Sequence, residues 1–252
     1  MLKKVKKMLK EHLFGTPKSE FTPEATNEHL DIMATCSKYT MTSRSRQWAL
    51  IQSVEWIAKK NIEGDIVECG VWRGGNLILC GLMLKAFNLD RLIWGYDTFA
   101  GMSEPTEDDY LIEKNPELKN SSLVRDKWLA KQKPQGITDW NYVTKDKVAS
   151  NFSKEVGTNN FKLISGKVED TLTVESNLPE KISILRLDTD WYESTKVELE
   201  VLFPRLQKGG VLIIDDYGRW AGSKKAVDEF FEGYGFVWLH RVSKSCRLYV
   251  NQ

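Results

Sequence analysis

Three aspartates carry the strongest chemical signal in the chain. Asp188 stands in Leu185-Arg186-Leu187-Asp188-Thr189-Asp190-Trp191-Tyr192, and Asp215 and Asp216 stand in Ile213-Ile214-Asp215-Asp216-Tyr217. Each set follows a short apolar run that reads as a strand. If the two strands are neighbours in a parallel sheet, the carboxylates gather at one rim, where like charges oppose each other's ionisation. A divalent cation relieves that repulsion. An oxygen-only donor set with few His or Cys nearby points to Mg²⁺ (or Mn²⁺, Ca²⁺) and away from zinc. The plain alternative is a set of helix caps, for which three at adjacent strand ends is a high count. Asp190, two residues past Asp188, is available as a general base or as a fourth metal contact. His12, His29 and His240 have no such context and read as surface or packing residues.

A glycine-rich turn is the second constellation. Val67-Glu68-Cys69-Gly70-Val71-Trp72-Arg73-Gly74-Gly75-Asn76 follows a predicted strand and opens a helix. Glycine at 70 lets the backbone turn tightly and approach a ligand closely. The spacing departs from G-x-G-x-x-G, which disfavours a dinucleotide. Glu68 is a further departure, since a carboxylate there repels a pyrophosphate but accepts from an ammonium. Asp97 ends the next strand in Trp94-Gly95-Tyr96-Asp97-Thr98-Phe99. There it can accept both ribose hydroxyls of a nucleoside-type ligand; the plainer role is a turn cap. The stretch Leu163-Ile164-Ser165-Gly166-Lys167-Val168-Glu169-Asp170 runs from strand into turn and would border the base in such a site.

Positioning these groups takes strands that end on one rim. Short β-rich runs at 66–69, 92–96, 162–165, 182–187 and 211–214 each meet Gly, Asp or Thr punctuation. Helical stretches at 77–87, 145–152, 192–206 and 224–234 lie between them. The alternation implies an α/β fold with a parallel sheet and helices on both faces. The last runs, 236–242 and 247–250, have no helix between them and read as an antiparallel hairpin at the sheet's edge. The expected fold is therefore Rossmann-like, of the class I methyltransferase type: a mostly parallel seven-stranded sheet with a C-terminal antiparallel hairpin.

Upstream, 26–37 and 43–60 read as two helices. Residues 1–13 read as a lysine-rich amphipathic helix, taken as a solvated arm that packs on the body or on another subunit in preference to a membrane-surface helix. The expected organisation is a helical arm and cap over 1–60 and a core over 61–252. Within the core, a long polar stretch from Phe99 to about Thr144 leaves the carboxyl end of a strand. It is expected to form a lid-like insertion at about 100–144, with a short helix at 121–131.

Composition bounds the partners. The chain has 252 residues, 41% hydrophobic and 28% charged, with 36 Lys+Arg against 35 Asp+Glu. That is a globular profile, and the near-zero balance argues against a dedicated nucleic-acid binder. No apolar run approaches the roughly 20 residues that span a bilayer, and no secretory signal is evident. Cys36, Cys69, Cys80 and Cys246 are scattered, without a CxxC pair, which suggests a reducing, cytoplasmic location. Cys69 and Cys80 read as packing residues.

Taken together, the stretches YTMTS (39–43), GDIVECGVWRGGN (64–76), IWGYDTFAGM (93–102), SGKVEDTL (165–172), LRLDTDWYEST (185–195) and GGVLIIDDYGRWAGSKKAVDEF (209–230) resemble the macrocin O-methyltransferase family. Members are S-adenosylmethionine- and Mg²⁺-dependent and methylate sugar hydroxyls in macrolide and aminocoumarin antibiotics. The resemblance spans roughly 39–235. It implies that Thr42, Glu68, Gly70, Val71, Trp72 and Gly74 hold the cofactor around its methionine end. It further implies that Asp97 binds the ribose and that Gly166, Val168 and Glu169 border the adenine. Asp188, Asp215 and Asp216 would bind the metal, with Asp188 and Asp190 catalytic and Asp190 the base. The expected reaction is a direct displacement on a hydroxylated, sugar-like acceptor by a homo-oligomer, without nucleic acid or stable membrane insertion. A catechol- or phenol-type methyltransferase shares the fold and metal, and a non-catalytic nucleotide-binding protein shares the fold.

Overall fold

The computed structural model describes residues 22–112, 121–157 and 160–252. The helix expected over 1–13 lies outside them. Thr26 caps α1 (Asn27–Cys36): its hydroxyl accepts from His29 N–H, and the His29 ring accepts from Thr26 N–H in return. His29 thus completes a capping box in the position that Glu or Gln usually holds. In α2 (Arg44–Lys59), Leu50, Ile51, Val54 and Ile57 form the buried stripe.

The core that follows alternates strand and helix. Its elements are β1 (Asp65–Cys69), α3 (Gly75–Ala86), β2 (Ile93–Asp97), α4 (Ser121–Leu129), β3 (Gln132–Lys133), β4 (Ile137–Thr138) and α5 (Lys145–Val156). Then come β5 (Phe161–Ser165), α6 (Val168–Thr171), β6 (Ile182–Leu187), α7 (Tyr192–Leu202), β7 (Leu206–Ile214), α8 (Ala221–Glu232), β8 (His240–Arg241) and β9 (Arg247–Val250). The main sheet has seven strands in the order β5-β2-β1-β6-β7-β9-β8. The first five are parallel, and β9 and β8 are antiparallel. Successive residues of each strand face opposite layers. Ile66, Ile184 and Ile213 pack with α1, α2, α3 and α5, whereas Val67, Leu185, Leu212 and Ile214 pack with α7 and α8.

Several boundaries differ from those read in the sequence, each for a local reason. The helix expected over 192–206 stops at Leu202 because Pro204 cannot donate to it; a 3-10 turn at Phe203–Arg205 leads into β7, which starts at Leu206. The strand expected over 236–242 shrinks to His240–Arg241, since Gly235 turns the chain at φ +73° and its partner β9 ends at Val250. Phe236 and Trp238 consequently stand in solvent. The insertion contains the short helix expected there, here α4, together with an unanticipated two-stranded ribbon, β3–β4. All four cysteines are buried and free. Among the described residues, no helix is long and apolar enough to cross a membrane.

Candidate active site

Strand order reverses between β1 and β6, and open α/β sheets bind ligands beyond the carboxyl ends of their strands at that point. A cavity of about 790 Å³ lies there. One end is lined by Gly70, Val71 and Trp72 after β1, by Asp97 and Thr98 after β2, and by Gly166, Lys167, Val168 and Glu169 after β5. The floor is lined by Asp188, Asp190, Asp215 and Asp216, and the far end by the insertion.

The glycine turn is shaped first by its own packing. Gly70 has φ +82°, and a Cβ there would stand 2.1 Å from the Asp188 carbonyl oxygen. The close approach at Gly70 is therefore made by the next strand of the sheet. Gly74 lies at the entrance of α3 and is absent from the cavity wall; a Cβ on it would press on Val148. Asp97 clamps the turn from the side. Its Oδ2 accepts from Val71 N–H and Trp72 N–H at 2.9 and 3.0 Å, and its Oδ1 accepts from Phe99 N–H at 2.9 Å. Burial raises its pKa, and those three amides, with the Thr98 hydroxyl, hold it back. A carboxylate offers about four acceptor positions. Three amides and, at 3.4 Å, the Thr98 hydroxyl already occupy about that number, so a ribose hydroxyl must share or displace a donor at Asp97.

Glu68 lies beneath the cavity, 3% exposed, where Arg186 Nη1 donates to its Oε1 at 2.6 Å and Asn76 Nδ2 at 2.9 Å. Asn76 and Thr42 reach the wall that Glu68 does not. The Thr42 hydroxyl accepts from Asn76 and from Arg186 at 3.2 and 3.3 Å. Glu68 Oε2 and Asn76 Oδ1 are buried and have no hydrogen-bond partner among the described residues. Such orphaned acceptors suit a cationic donor like a ligand ammonium.

At the acidic floor, one ligand oxygen from each of Asp188, Asp215 and Asp216 lies within 4.8 Å of the others. Arg186 forks onto this set, with Nη1 at 2.7 Å from Asp188 Oδ2 and Nη2 at 2.6 Å from Asp215 Oδ1. Arg46 donates to Asp215 Oδ2. Burial opposes the charge on Arg186, yet Asp188, Asp215 and Glu68 hold its pKa above its ordinary value. These two guanidiniums do not balance the carboxylates. Asp216 Oδ2 is buried without a hydrogen-bond partner among the described residues, and the pKa values of Asp188 and Asp216 are raised well above the ordinary range by burial and by the neighbouring negative charges. The excess of anionic oxygen fits a hard dication. Asp190 stands beside this set in a left-handed conformation, φ +70°, which is strained for a non-glycine residue. Burial first, then the charge of Asp188, raises its pKa to about 7.

Comparison with known proteins decides the family. The model for "Macrocin-O-methyltransferase (TylF)" matches residues 3–236. The chain belongs to the macrocin O-methyltransferase family. Demethyldecarbamoylnovobiocin O-methyltransferase of Streptomyces niveus is 32% identical over 221 residues, covering 86% of this chain and 76% of that protein. The 8-demethyl-8-(2,3-dimethoxy-alpha-L-rhamnosyl)-tetracenomycin-C 4'-O-methyltransferase of Streptomyces olivaceus is 33% identical over 222 residues, covering 82% and 77%. The solved O-methyltransferase NovP superposes with a TM-score of 0.71 at 26% identity, covering 99% of this chain and 98% of that one.

The protein is thus an O-methyltransferase with the class I fold. Within this macrocin O-methyltransferase family member, several groups that shape the site were not singled out in the sequence. Arg186 is the foremost, and its signal was a lone charge inside the apolar strand β6. Asp109, fully buried, accepts from Tyr192 N–H at the start of α7 and from Thr106 N–H, at 2.8 and 2.7 Å, so it ties the insertion to the core. Ile112 N–H to Arg219 O and Ala221 N–H to Tyr110 O add two backbone bonds beside it. Nothing in a polar loop distinguishes Asp109 from its neighbours before folding.

Proposed function

We propose that this enzyme transfers the methyl group of S-adenosylmethionine to a hydroxyl of a sugar-like acceptor, with Mg²⁺ at Asp188, Asp215 and Asp216. The observation that carries this reading is the convergence of three carboxylates and a strained fourth, Asp190, on the floor of one cavity with the glycine turn at its end. The name of the tetracenomycin relative, which includes a rhamnosyl group, supports a sugar as acceptor.

The chain's own residues divide the work. The backbone of the glycine turn, with Thr42 and Asn76 and with Glu68 behind them, receives the cofactor's methionine end, while Asp97 and the turn at 166–169 face its nucleoside. When bound, the cofactor supplies an electrophilic sulfonium methyl and the metal supplies Lewis acidity beside the acceptor oxygen. Asp190 accepts the hydroxyl proton at its carboxylate as the new C–O bond forms and the C–S bond breaks, releasing S-adenosylhomocysteine. Asp188 and Asp215 are held still by Arg186, so much of the acceleration comes from positioning. Trp140, Trp220 and Leu111 wall the acceptor end and restrict water there.

The test is a transfer assay over a panel of glycosides and phenols, with and without chelator. Asp188→Ala and Asp215→Ala are expected to lose nearly all turnover. Full activity in excess chelator would remove the metal from the reading, and transfer confined to phenols would replace the acceptor.

A further inference from the structure

The acceptor end of the cavity carries two cations that no carboxylate among the described residues touches. Lys127 and Arg219 both line it. Among the described residues neither makes an ion pair, whereas Arg46 and Arg186 both do. Each rests on an indole instead. Lys127 Nζ is 3.6 Å from the centre of the Trp140 ring, and the Arg219 guanidinium is 5.7 Å from that of Trp220. Trp191 joins the two indoles edge to face, with ring centres 5.9 and 4.9 Å apart. One rigid aromatic block therefore holds both charges on one wall.

Both side chains stand exposed at the cavity wall, open to a ligand. Partial burial lowers the Lys127 pKa, and the charge of Arg219 lowers it further, so the two cations oppose each other. Asp190 attracts both through space, but neither reaches it in an ion pair. A cation over an aromatic face keeps N–H groups free for another acceptor. A neutral sugar needs stacking faces and hydroxyl partners; it gives no reason to hold two positive charges together. An anion entering between them is favoured by both and accepts charge-assisted hydrogen bonds.

We propose that Lys127 and Arg219 bind an anionic group, a phosphate or a carboxylate, carried by the sugar-like acceptor. The proposal rests on the transferase reading above and names its substrate class: an acidic sugar, such as a sugar phosphate, a sugar nucleotide or a uronic acid. Lys127 and Arg219 select the acceptor and do not touch the reacting atoms.

The test is calorimetry on protein saturated with S-adenosylhomocysteine and Mg²⁺. The probes are glucose 1-phosphate, UDP-glucose, glucuronic acid and methyl glucoside. At least one anionic probe is expected to bind about tenfold or more tightly than methyl glucoside. That preference should weaken with salt and fall about tenfold in Lys127→Gln and in Arg219→Gln. It should survive in Asp188→Asn, which separates a phosphate held by these cations from one held by the metal. Preference for glucuronic acid assigns the anion as a carboxylate, and preference for the other two assigns a phosphate. No preference for any anionic probe, an unchanged preference in both cation variants, or its loss in Asp188→Asn overturns the proposal. Failure of S-adenosylhomocysteine to bind strikes the transferase reading instead, and efficient transfer to neutral glycosides alone leaves that reading standing while removing the anion.

Discussion

Arg186 Nη1 lies 2.6 Å from Glu68 Oε1, with both side chains hidden from solvent. The same guanidinium reaches Asp188 and Asp215, so one buried cation joins the strand below the glycine turn to both strands that carry the acidic floor. The two halves of the cavity therefore share a rigid electrostatic strut. Removing one partner of a buried pair typically costs about 3–5 kcal/mol, and Arg186→Met is expected to lose stability on that order. Arg186→Lys keeps a charge but lacks the fork. It should fold, bind Mg²⁺ about tenfold more weakly in a calorimetric titration, and lose kcat more than KM for the acceptor. Wild-type metal affinity and kcat in the lysine variant would show that the fork is dispensable.

Asp190 acts as a base only when ionised. Its pKa, raised to about 7 by burial and by Asp188, places the loss of activity on the acid side. The expected kcat/KM rises with pH and levels off at or below neutrality, because a dication beside Asp190 favours its charged form. Asp190→Asn should abolish turnover, by roughly a hundredfold or more, while S-adenosylhomocysteine still binds. An Asp190→Asn variant with the wild-type rate and the same acid limb would remove Asp190 as the base.

Glu198 lies wholly buried behind the site, with Thr189 as donor to one oxygen and, among the described residues, no hydrogen-bond partner for the other. Burial raises its folded-state pKa well above the 4.5 of a free side chain. The folded state thus keeps a proton that the unfolded state releases above about pH 4.5, so stability falls as pH rises toward the folded value. Glu198→Gln has no proton to lose. It should raise stability at pH 8 by about 1–3 kcal/mol, the scale of a buried group short of a partner, and the gain should fade near pH 4. Denaturant melts at both values read this directly, and a Tm lowered at pH 8 would contradict it.

Asp109 fastens the insertion to α7. Asp109→Ala removes its hydrogen bonds to Tyr192 and Thr106 and leaves a helix-terminal N–H unpaired. A stability loss of about 1–3 kcal/mol is expected, together with faster proteolysis within 103–143 and a higher acceptor KM at unchanged cofactor affinity. Equal proteolysis rates for variant and wild type would show that the backbone bonds at Tyr110 and Ile112 suffice.

Much of the architecture was written in local pattern. The periodic runs at 66–69 and 182–187 fall on strands β1 and β6 because a strand buried on both faces needs apolar residues at consecutive positions. Strand-end aspartates marked the floor because three carboxylates at the ends of two apolar runs are more than capping calls for. Contacts between distant segments were not legible. Glu68 and Arg186 each look unremarkable alone, and their pairing depends on β1 and β6 being neighbours in register, Glu68 opposite Arg186. The same holds for Lys127 and Arg219, brought to one wall only by the packing of three tryptophans. A single chain determines which groups are available; partner choice at hydrogen-bond range depends on strand order and loop path, which only the folded sheet decides.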